Sequence, residues 1–337
     1  MSDDADPAAP CVSVVIPAYR AEGTLGRAID SVLDQRGVDV RIIVVVDGKF
    51  DRSSEVALSY SDPRITVEEH ETNRGAAISR NDGLAVATSD FVMFLDADDF
   101  LEGPLLHGQV AAIGNSDADV AFGPMQILDE RQGRRRPRYV PDFTSSEDIF
   151  RKWHLNGIYV NPTSVMWRTE YIRQIAGWDP EITRNDDGEL VMRAALLGAK
   201  IAVTSEGTGV YVKHSSDSLN NRVDNMESML RANEKLLAID SPVISKDAQR
   251  EVCAGHFFNI AWHCFLNRRE ELGNVALARS RQLGGQSRGS IVHRLSCHLL
   301  GVSRTCQLIR WIKDATGAAT GTRGDTRPAG SGPDFVA

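Results

Sequence analysis

Short apolar runs alternate with amphipathic segments through the first hundred positions of the chain. Four runs rich in β-branched residues predict buried strands: VSVVI (12–16), RIIVVV (41–46), ITV (65–67) and FVMFL (91–95). Segments with apolar residues at helical spacing or with helix-start signals lie between them, at 22–35, 53–60 and 76–87. This alternation predicts an α/β fold with a mostly parallel, Rossmann-like sheet, right-handed crossovers and helices on both faces.

The pattern changes after residue 104. Two further strands are predicted at 119–123 and 125–128, and helices follow at 169–176 and 189–198. From 222 to 275 the chain is mainly helical in pattern. The acidic, Pro/Ala-rich start and the Gly/Thr/Ala-rich end predict disorder. We therefore expect four parts: a leader (1–10), an α/β domain (11–220), a helical region (221–314) and a disordered tail (315–337).

Composition narrows the class of protein. The 337 residues carry a formal net charge of -8, which disfavours a surface that binds nucleic acid nonspecifically. No apolar run reaches the ~18–20 residues of a membrane span, and no signal-peptide pattern begins the chain. The five cysteines have no disulfide-like spacing. These features predict a cytoplasmic protein.

Polar residues follow three of the predicted strands at the point where each strand ends. They are Pro17 and Tyr19 after the first strand, Asp47 after the second, and Asp96, Asp98 and Asp99 after the fourth. In parallel α/β sheets, ligands bind beyond the carboxyl ends of the strands. Closely spaced carboxylates repel each other unless a cation lies between them, and Mg²⁺ or Mn²⁺ prefers oxygen ligands. These acids are therefore predicted to hold a divalent metal that binds a diphosphate. The alternative to this metal site is a polar loop whose acids cap the next helix.

Five segments give the chain a resemblance to a known family. They are VSVVIPAYRAEGTLGRAIDSVLDQ, IIVVVDGKFDRS, NRGAAISRNDGLAVATSDFVMFLDADD, and the pair NPTSVMWRTEYIRQIAGWDPEI and NDDGELVMRAALLGAKIAV. Over residues 11–215 the chain resembles the family-2 inverting glycosyltransferases, in particular bacterial non-processive members. The resemblance implies the GT-A (nucleotide-diphospho-sugar transferase) fold. It also implies transfer of a sugar from a nucleotide-diphosphate donor, with UDP favoured, to a hydroxyl acceptor in cell-surface glycan or polysaccharide biosynthesis.

The resemblance further implies roles for matched residues. Contacts to the nucleotide sugar would come from Pro17, Tyr19, Glu22, Asp47, Arg74, Arg80 and Asp96. Asp98 and His214 would bind a divalent metal, Mn²⁺ or Mg²⁺, and Asp187 would be the catalytic base. From the residues alone, Asp186 and Asp187 could equally cap a helix, and a lone histidine such as His214 is often structural.

The chemistry of inverting transfer requires these residue types. One carboxylate must accept the proton of the acceptor hydroxyl, and a cation must neutralise the departing diphosphate. The chain departs from the family pattern near the nucleotide: Val46 stands where a second acid is usual, Lys49-Phe50 replaces Ser-Thr, and Arg20 replaces Asn. These departures leave the identity of the nucleotide open.

Two other function classes compete with the transferase. One is a non-catalytic sugar-nucleotide or glycan-binding module with the same fold, which the intact Asp98 and Asp187 disfavour. The other is a different nucleotide enzyme on an α/β sheet. The lack of G-x-G-x-x-G after the first strand, and of a P-loop anywhere, disfavours dehydrogenases and P-loop NTPases.

Three further patterns carry alternatives. The arginine-rich stretch RQGRRRPR (131–138) is either a solvated loop or a contact for an anionic acceptor. The Q-x-x-R-W match at 307–311 resembles a motif of processive synthases, and its position far from the base favours a chance match. Cys253, His256, His263 and Cys264 could suggest zinc, but the cysteines fall on the apolar face of one helix, which favours core packing.

Residues 279–313 contain seven basic side chains and no acid, with an apolar face traced by Ile291, Leu295, His298/Leu299, Val302, Cys306 and Ile309. A basic amphipathic helix can lie on an anionic membrane. The alternative is that the helix docks against the acidic catalytic domain. The expected partners are thus a nucleotide-sugar donor and a glycan or lipid-linked acceptor, with possible peripheral membrane contact.

Overall fold

The computed structural model describes residues 10–156, 158, 160–214, 226–286 and 291–317. Its strands are β1 (Cys11–Ala18), β2 (Asp39–Asp47), β3 (Ile65–His70), β4 (Phe91–Phe94), β5 (Phe100–Glu102), β6 (Val120–Phe122), β7 (Met125–Asp129), β8 (Arg134–Arg135), β9 (Val165–Arg168), β10 (Ile201–Val203) and β11 (Thr208–Lys213). Its helices are α1 (Leu25–Leu33), α2 (Ser53–Leu58), α3 (Ala76–Val86), α4 (Leu105–Gly114), α5 (Ser146–Asn156), α6 (Thr169–Gln174), α7 (Asp186–Leu196), α8 (Met226–Ala238), α9 (Lys246–Leu266), α10 (Glu270–Gln282), α11 (Ile291–Leu300) and α12 (Val302–Gly317).

The large sheet has seven strands in the order β10-β6-β9-β4-β1-β2-β3. β1 pairs in parallel with both β2 and β4, and β2 pairs in parallel with β3. β9 is antiparallel to both of its neighbours. The predicted α/β fold with a mostly parallel sheet is confirmed. The strand order reverses beside β1, so the polar residues at the ends of β1, β2 and β4 meet at one edge.

Side-chain alternation in β1 divides the core between the two faces of the sheet. Val14 lies level with Ile42 and Met93 on one face, which α1, α2 and α4 cover. Val15 lies level with Phe94 on the other face, which α3, α5, α6 and α7 cover. Because both faces are covered, the central strands consist of nearly continuous apolar residues.

A second sheet, in the order β5-β11-β7-β8, was not predicted from the sequence. It begins directly after the acidic loop, because residues 96–99 lead into the short strand β5 rather than into a helix. The helix-capping alternative for these acids is therefore wrong. Asp99 is fully buried and accepts hydrogen bonds from Thr163 Oγ1 (2.7 Å) and the Val212 amide (2.8 Å). This carboxylate ties the loop to β11.

The helical C-terminal region packs on the α/β domain. Leu236 of α8 and Val252 and Cys253 of α9 share one apolar cluster with α5 and α7. Cys264 lies in a second cluster inside the helical region, and all five cysteines are free, so the two helix cysteines are core residues. The predicted boundary at residue 220 and the predicted disordered residues 1–9 and 318–337 lie outside the described residues, and α12 continues to Gly317.

The basic stretch 279–313 is not one helix. Gly301, with φ +81°, separates α11 from α12, because the chain there adopts a backbone conformation that glycine allows. Val302 and Cys306 of the predicted apolar face are buried in the helical region, whereas Leu299 and Trp311 are 78% and 67% exposed. Arg288 lies outside the described residues. No helix among the described residues has the length and apolarity that crossing a membrane requires.

The arginine-rich stretch forms the turn and return strand of the β7–β8 hairpin. Arg135 pairs with Glu102 at 2.7 Å, and Arg138 donates to Thr208 Oγ1 at 2.9 Å and to the Gly207 carbonyl at 2.8 Å. These two arginines therefore link the hairpin to β5 and to the start of β11. Among the described contacts, no ion pair involves the other three arginines of the stretch: Arg131, Arg134 and Arg136.

Candidate active site

Arg80 joins two acidic segments, the loop at 96–99 and the start of α7 at 186–187. From α3, its Nη2 donates to Asp96 Oδ1 and its Nη1 to Asp186 Oδ2, both at 2.7 Å. The guanidinium lies 4.2 Å from the ring centroid of Trp178, and the Arg80 side chain is only 7% exposed. Burial opposes the charge of Arg80, but the two carboxylates outweigh it and raise its pKa. The result is a charged clamp just after β4, with a buried guanidinium between two partly exposed carboxylates.

Asp187 lies beside this clamp, in the first turn of α7. The N-cap is Asn185, with φ 58°, and Asp186 and Asp187 are the first two helical residues. Neither aspartate is therefore the helix cap. Burial and the neighbouring Asp186 carboxylate raise the pKa of Asp187 to about 7, against the opposing effects of the Gly188 amide and Arg80. A carboxyl with such a pKa can take up a proton near neutral pH.

Asp98 and His214 form the second part of the site. His214 Nε2 lies 3.6 Å from Asp98 Oδ2, and its Nδ1 lies 2.8 Å from Glu130 Oε2. Arg27 of α1 donates to Glu130 Oε1 at 2.7 Å and to the Asp98 carbonyl at 2.9 Å. Partial burial and the Asp96 carboxylate raise the pKa of Asp98 above its usual value.

The donor atoms of this second part fit a divalent cation. The Nε2 atom of His214 is buried and has no hydrogen-bond partner among the described residues, although it faces a carboxylate oxygen. Asp98 and His214 could therefore hold Mn²⁺ or Mg²⁺ and leave other positions for diphosphate oxygens. Within the described ranges, no group of three or more such side chains could hold an ion.

Asp47 is more enclosed than an open base-binding residue would be. It is 2% exposed and accepts hydrogen bonds from the Arg74 amide (2.7 Å) and the Gly75 amide (2.8 Å). His70 Nδ1 lies 2.9 Å from the same carboxylate. In the structure Asp47 thus fixes the loop before α3, while the Arg74 guanidinium pairs with Asp82 at 2.7 Å.

The residues at and just after the end of β1 lie near the segment that follows β2. Tyr19 is 43% exposed and makes an edge-on contact with Phe50, with ring centroids 5.5 Å apart. Arg20 lies over both rings, and its φ of 51° is unusual for a residue other than glycine. Glu22 accepts from the Arg52 amide at 3.0 Å. Pro17 lies in β1 beside Val45. Tyr19 and Glu22 therefore contact the segment that follows β2, through Phe50 and Arg52.

A family match covers the chain from β1 through α6, including the acidic loop, and ends before α7 and β11. Residues 13–175 match the family model described as glycosyl transferase family 2. These residues form a family-2 glycosyltransferase domain. The match contains Arg80, Asp96 and Asp98 and confirms the resemblance to family-2 glycosyltransferases over these residues.

Curated relatives include proteins named as glycosyltransferases. The chain is 29% identical over 240 residues to the succinoglycan biosynthesis protein ExoO of Rhizobium meliloti, which covers 68% of each protein. It is 26% identical over 225 residues to the glycosyltransferase GlyG of Streptococcus pneumoniae, over 63% of this chain and 74% of GlyG. A shorter match, 32% over 117 residues, links 35% of the chain to 46% of the Escherichia coli glucosyltransferase WfgD.

Solved structures confirm the fold. The S. aureus TarS fragment 1–349, determined in complex with UDP-GlcNAc, superposes with a TM-score of 0.68 at 19% identity and covers 93% of both chains. The same fragment with UDP gives a TM-score of 0.63 at 19% identity and covers 94% of both chains. The glycosyltransferase domain of this chain therefore has the predicted GT-A fold.

Several residues of the site were not found from the sequence. Glu130 and Arg27 hold His214 and Asp98, and Trp178 and Asp186 complete the surroundings of Arg80. Only Asp186 had a local signal, because it precedes Asp187. The others are separated from their partners by long stretches of chain, and no spacing pattern links them.

Proposed function

We propose that this protein is a metal-dependent, inverting glycosyltransferase that moves a sugar from a UDP-linked donor to a hydroxyl of a surface glycan. The observation that carries the proposal is Asp187, a partly buried carboxyl with a pKa raised to about 7, placed next to the Arg80 clamp. A structural carboxylate is more often stabilised in its charged form, whereas a general base works best with a pKa near the ambient pH.

The proposed step balances as a single displacement. The acceptor hydroxyl oxygen attacks the anomeric carbon from the face opposite the diphosphate, while Asp187 takes the hydroxyl proton. The bond between the anomeric carbon and the diphosphate oxygen breaks, and its electron pair leaves with the nucleotide diphosphate. Attack from the opposite face inverts the anomeric configuration. Asp186 is held in a separate contact, because its Oδ2 accepts a hydrogen bond from Arg80 Nη1 at 2.7 Å.

Asp98 and His214 would hold the divalent cation, which when bound neutralises charge on the departing diphosphate. Pro17, Tyr19, Glu22, Asp47, Arg74 and Asp96 remain proposed contacts of the nucleotide sugar. The exposed Tyr19 and Phe50 rings support a stacking role beside the base. The two hydrogen bonds that Asp47 accepts from backbone amides support a role in shaping the loop before α3. Arg80 acts through Asp96 and Asp186 in this arrangement.

The nature of donor and acceptor is proposed from the relatives. WfgD is named as a UDP-Glc transferase acting on a diphosphoundecaprenol-linked sugar, ExoO as a succinoglycan biosynthesis protein, and TarS was solved with UDP-GlcNAc. These names support a UDP-linked hexose as donor and a lipid-linked or polysaccharide acceptor. The free, mostly buried cysteines support a cytoplasmic location.

A peripheral membrane contact is also proposed, from the surface of α11 and α12. Five large apolar side chains are exposed there: Leu295, Leu299, Leu300, Leu308 and Trp311. Arg294 and Arg304 are exposed on the same two helices. Apolar side chains bordered by arginines favour the interface of an anionic bilayer. This surface would bring the enzyme to a lipid-linked acceptor.

The proposed function is tested by donor hydrolysis across a panel of UDP-, GDP- and dTDP-sugars with Mn²⁺, and then with EDTA. We expect release of the nucleotide diphosphate from UDP-hexoses with Mn²⁺ and little release with EDTA. NMR of the sugar formed from the active donor then gives its anomeric configuration. A protein that binds a UDP-sugar but never releases UDP, with or without glycan acceptors, would be a binding module. Retention of configuration would contradict the inverting step.

A further inference from the structure

Glu130 follows β7 and His214 follows β11, two neighbouring strands whose register brings these residues together. Asp129 lies level with Lys213, and the Glu130 amide donates to the Lys213 carbonyl at 3.2 Å. The side chains then meet at the end of the second sheet, with His214 Nδ1 2.8 Å from Glu130 Oε2. The contact is therefore imposed by strand pairing and not by the local sequence of either residue.

An ionised carboxylate only accepts hydrogen bonds, so the Nδ1 atom of His214 must carry the proton in this contact. In a neutral imidazole the other nitrogen then carries the lone pair. That nitrogen, Nε2, is buried and lies 3.6 Å from Asp98 Oδ2, and no residue in the described part of the chain forms a hydrogen bond with it. Glu130 therefore selects the tautomer whose free electron pair faces the metal-binding carboxylate.

Arg27 orients this arrangement from α1. Its Nη1 donates to Glu130 Oε1 at 2.7 Å, and its Nη2 donates to the backbone carbonyl of Asp98 at 2.9 Å. The guanidinium also lies 4.9 Å from the centroid of the Phe100 ring. The Arg27 side chain thus links the loop that carries Asp98 to Glu130, the residue that contacts His214. An isolated surface pair would not need this second contact.

We propose that Glu130, held by Arg27, is a positioning residue that fixes His214 in the Nδ1-protonated tautomer, with Nε2 directed toward Asp98 for the metal. The inference rests on the proposed metal-dependent function. The ordinary alternative is a solvent-exposed ion pair, since the Arg27 and Glu130 side chains are 36% and 38% exposed. Such pairs contribute little to stability, so stability and metal affinity should respond differently to their loss.

The test is a titration of Mn²⁺ into the full-length protein saturated with UDP, followed by calorimetry or by EPR of free Mn²⁺. Glu130→Ala should weaken Mn²⁺ binding about 10- to 100-fold, the usual effect of losing a partner of a metal-binding histidine. Glu130→Gln should restore part of the affinity, because its amide oxygen still accepts the Nδ1 proton. His214→Ala should lose as much affinity as the double variant Glu130→Ala/His214→Ala.

Glu102→Ala is the matched control, since Glu102 is a 43%-exposed carboxylate paired with Arg135 in the same sheet. It should leave Mn²⁺ affinity unchanged. In the metal-free protein, ¹⁵N-histidine NMR should show His214 protonated at Nδ1 and a loss of that tautomer in Glu130→Ala; His214→Ala identifies the signal. Wild-type Mn²⁺ binding with unchanged affinity in Glu130→Ala overturns this inference alone. Absence of Mn²⁺ binding by the wild type overturns the metal-dependent function as well.

Discussion

Arg80 Nη1 lies 2.7 Å from Asp186 Oδ2, a hydrogen bond between residues 106 positions apart in the chain. The same guanidinium binds Asp96, so it fastens the start of α7 to the end of β4. This fastening places Asp187 where neighbouring carboxylates and partial burial raise its pKa to about 7. The bond between Arg80 and Asp186 is thus the structural basis of the proposed base.

Replacing Asp187 with asparagine keeps the shape of the side chain and removes its basicity. We expect Asp187→Asn to bind UDP-sugar normally while transfer falls by about 10²- to 10⁴-fold, the scale of a lost general base. Acceptor-dependent transfer and calorimetric donor binding measure the two effects separately. Asp186→Asn is the comparison variant and should retain much more activity. If Asp186→Asn is the inactive variant instead, the roles of the two aspartates are reversed.

The pH dependence of transfer should report the ionisation of Asp187. A general base works only when deprotonated, and burial together with the Asp186 carboxylate raises the pKa of this group to about 7. The rate should therefore increase with pH and level off above about pH 8. Asp186→Asn removes a neighbouring negative charge that raises this pKa, so the acid limb should move to lower pH. An acid limb that stays in place in Asp186→Asn would show that another group is titrating.

The same raised pKa has a consequence for stability. The folded-state pKa of Asp187, about 7, lies above the unfolded value of 3.8. Between these two pH values the folded protein binds more protons than the unfolded chain, so stability is lost as the pH rises from 3.8 to about 7. Asp187→Asn removes the cost of an ionised, partly buried carboxylate. We expect it to raise the melting temperature by a few degrees at pH 8 and to have little effect near pH 4. An equal shift at both pH values would exclude this linkage.

Metal-dependent nucleotide binding should require Asp98. The Asp98→Ala variant removes the carboxylate that faces His214 Nε2, and we expect it to lose the increase in UDP affinity that Mn²⁺ gives the wild type. Calorimetry of UDP binding with and without Mn²⁺ measures the effect. Glu102→Ala is a suitable control, because Glu102 is a 43%-exposed carboxylate paired with Arg135. Full metal-dependent affinity in Asp98→Ala would remove this residue from the metal site.

Membrane contact should depend on exposed residues of the two C-terminal helices. Truncation would remove buried residues such as Val302 and Cys306, so point variants give a cleaner test. The double variant Leu299→Ser/Trp311→Ser should sediment less with vesicles containing anionic lipid, and neutral vesicles should not bind the wild type. Leu58→Ser/Val275→Ser changes two residues of similar exposure, 64% and 59%, and should bind as the wild type does. Equal binding by both double variants would exclude this surface.

Much of the α/β domain could be predicted because its signals are local. The β-branched runs at 12–16 and 41–46 became β1 and β2, since a strand buried on both faces must be apolar at nearly every position. Asp98 and Asp187 stood in recognisable motifs. Parallel strands have their carboxyl ends at one edge of the sheet, so the polar residues that follow them were expected there. The second sheet was missed because β5 and β8 have only 3 and 2 residues, too few to show a period.

The sequence by itself thus determined the order of strands and helices, the parallel sheet and the presence of acids at its edge. Tertiary structure decided which acids meet which bases: Arg80 joins Asp96 to Asp186, and Glu130 reaches His214 across 84 residues. Tertiary structure also divided the basic C-terminal stretch at Gly301 and buried Val302. Hydrophobic periodicity reports which side of an element is buried, whereas ion pairing and pKa depend on distances that only the packed chain defines.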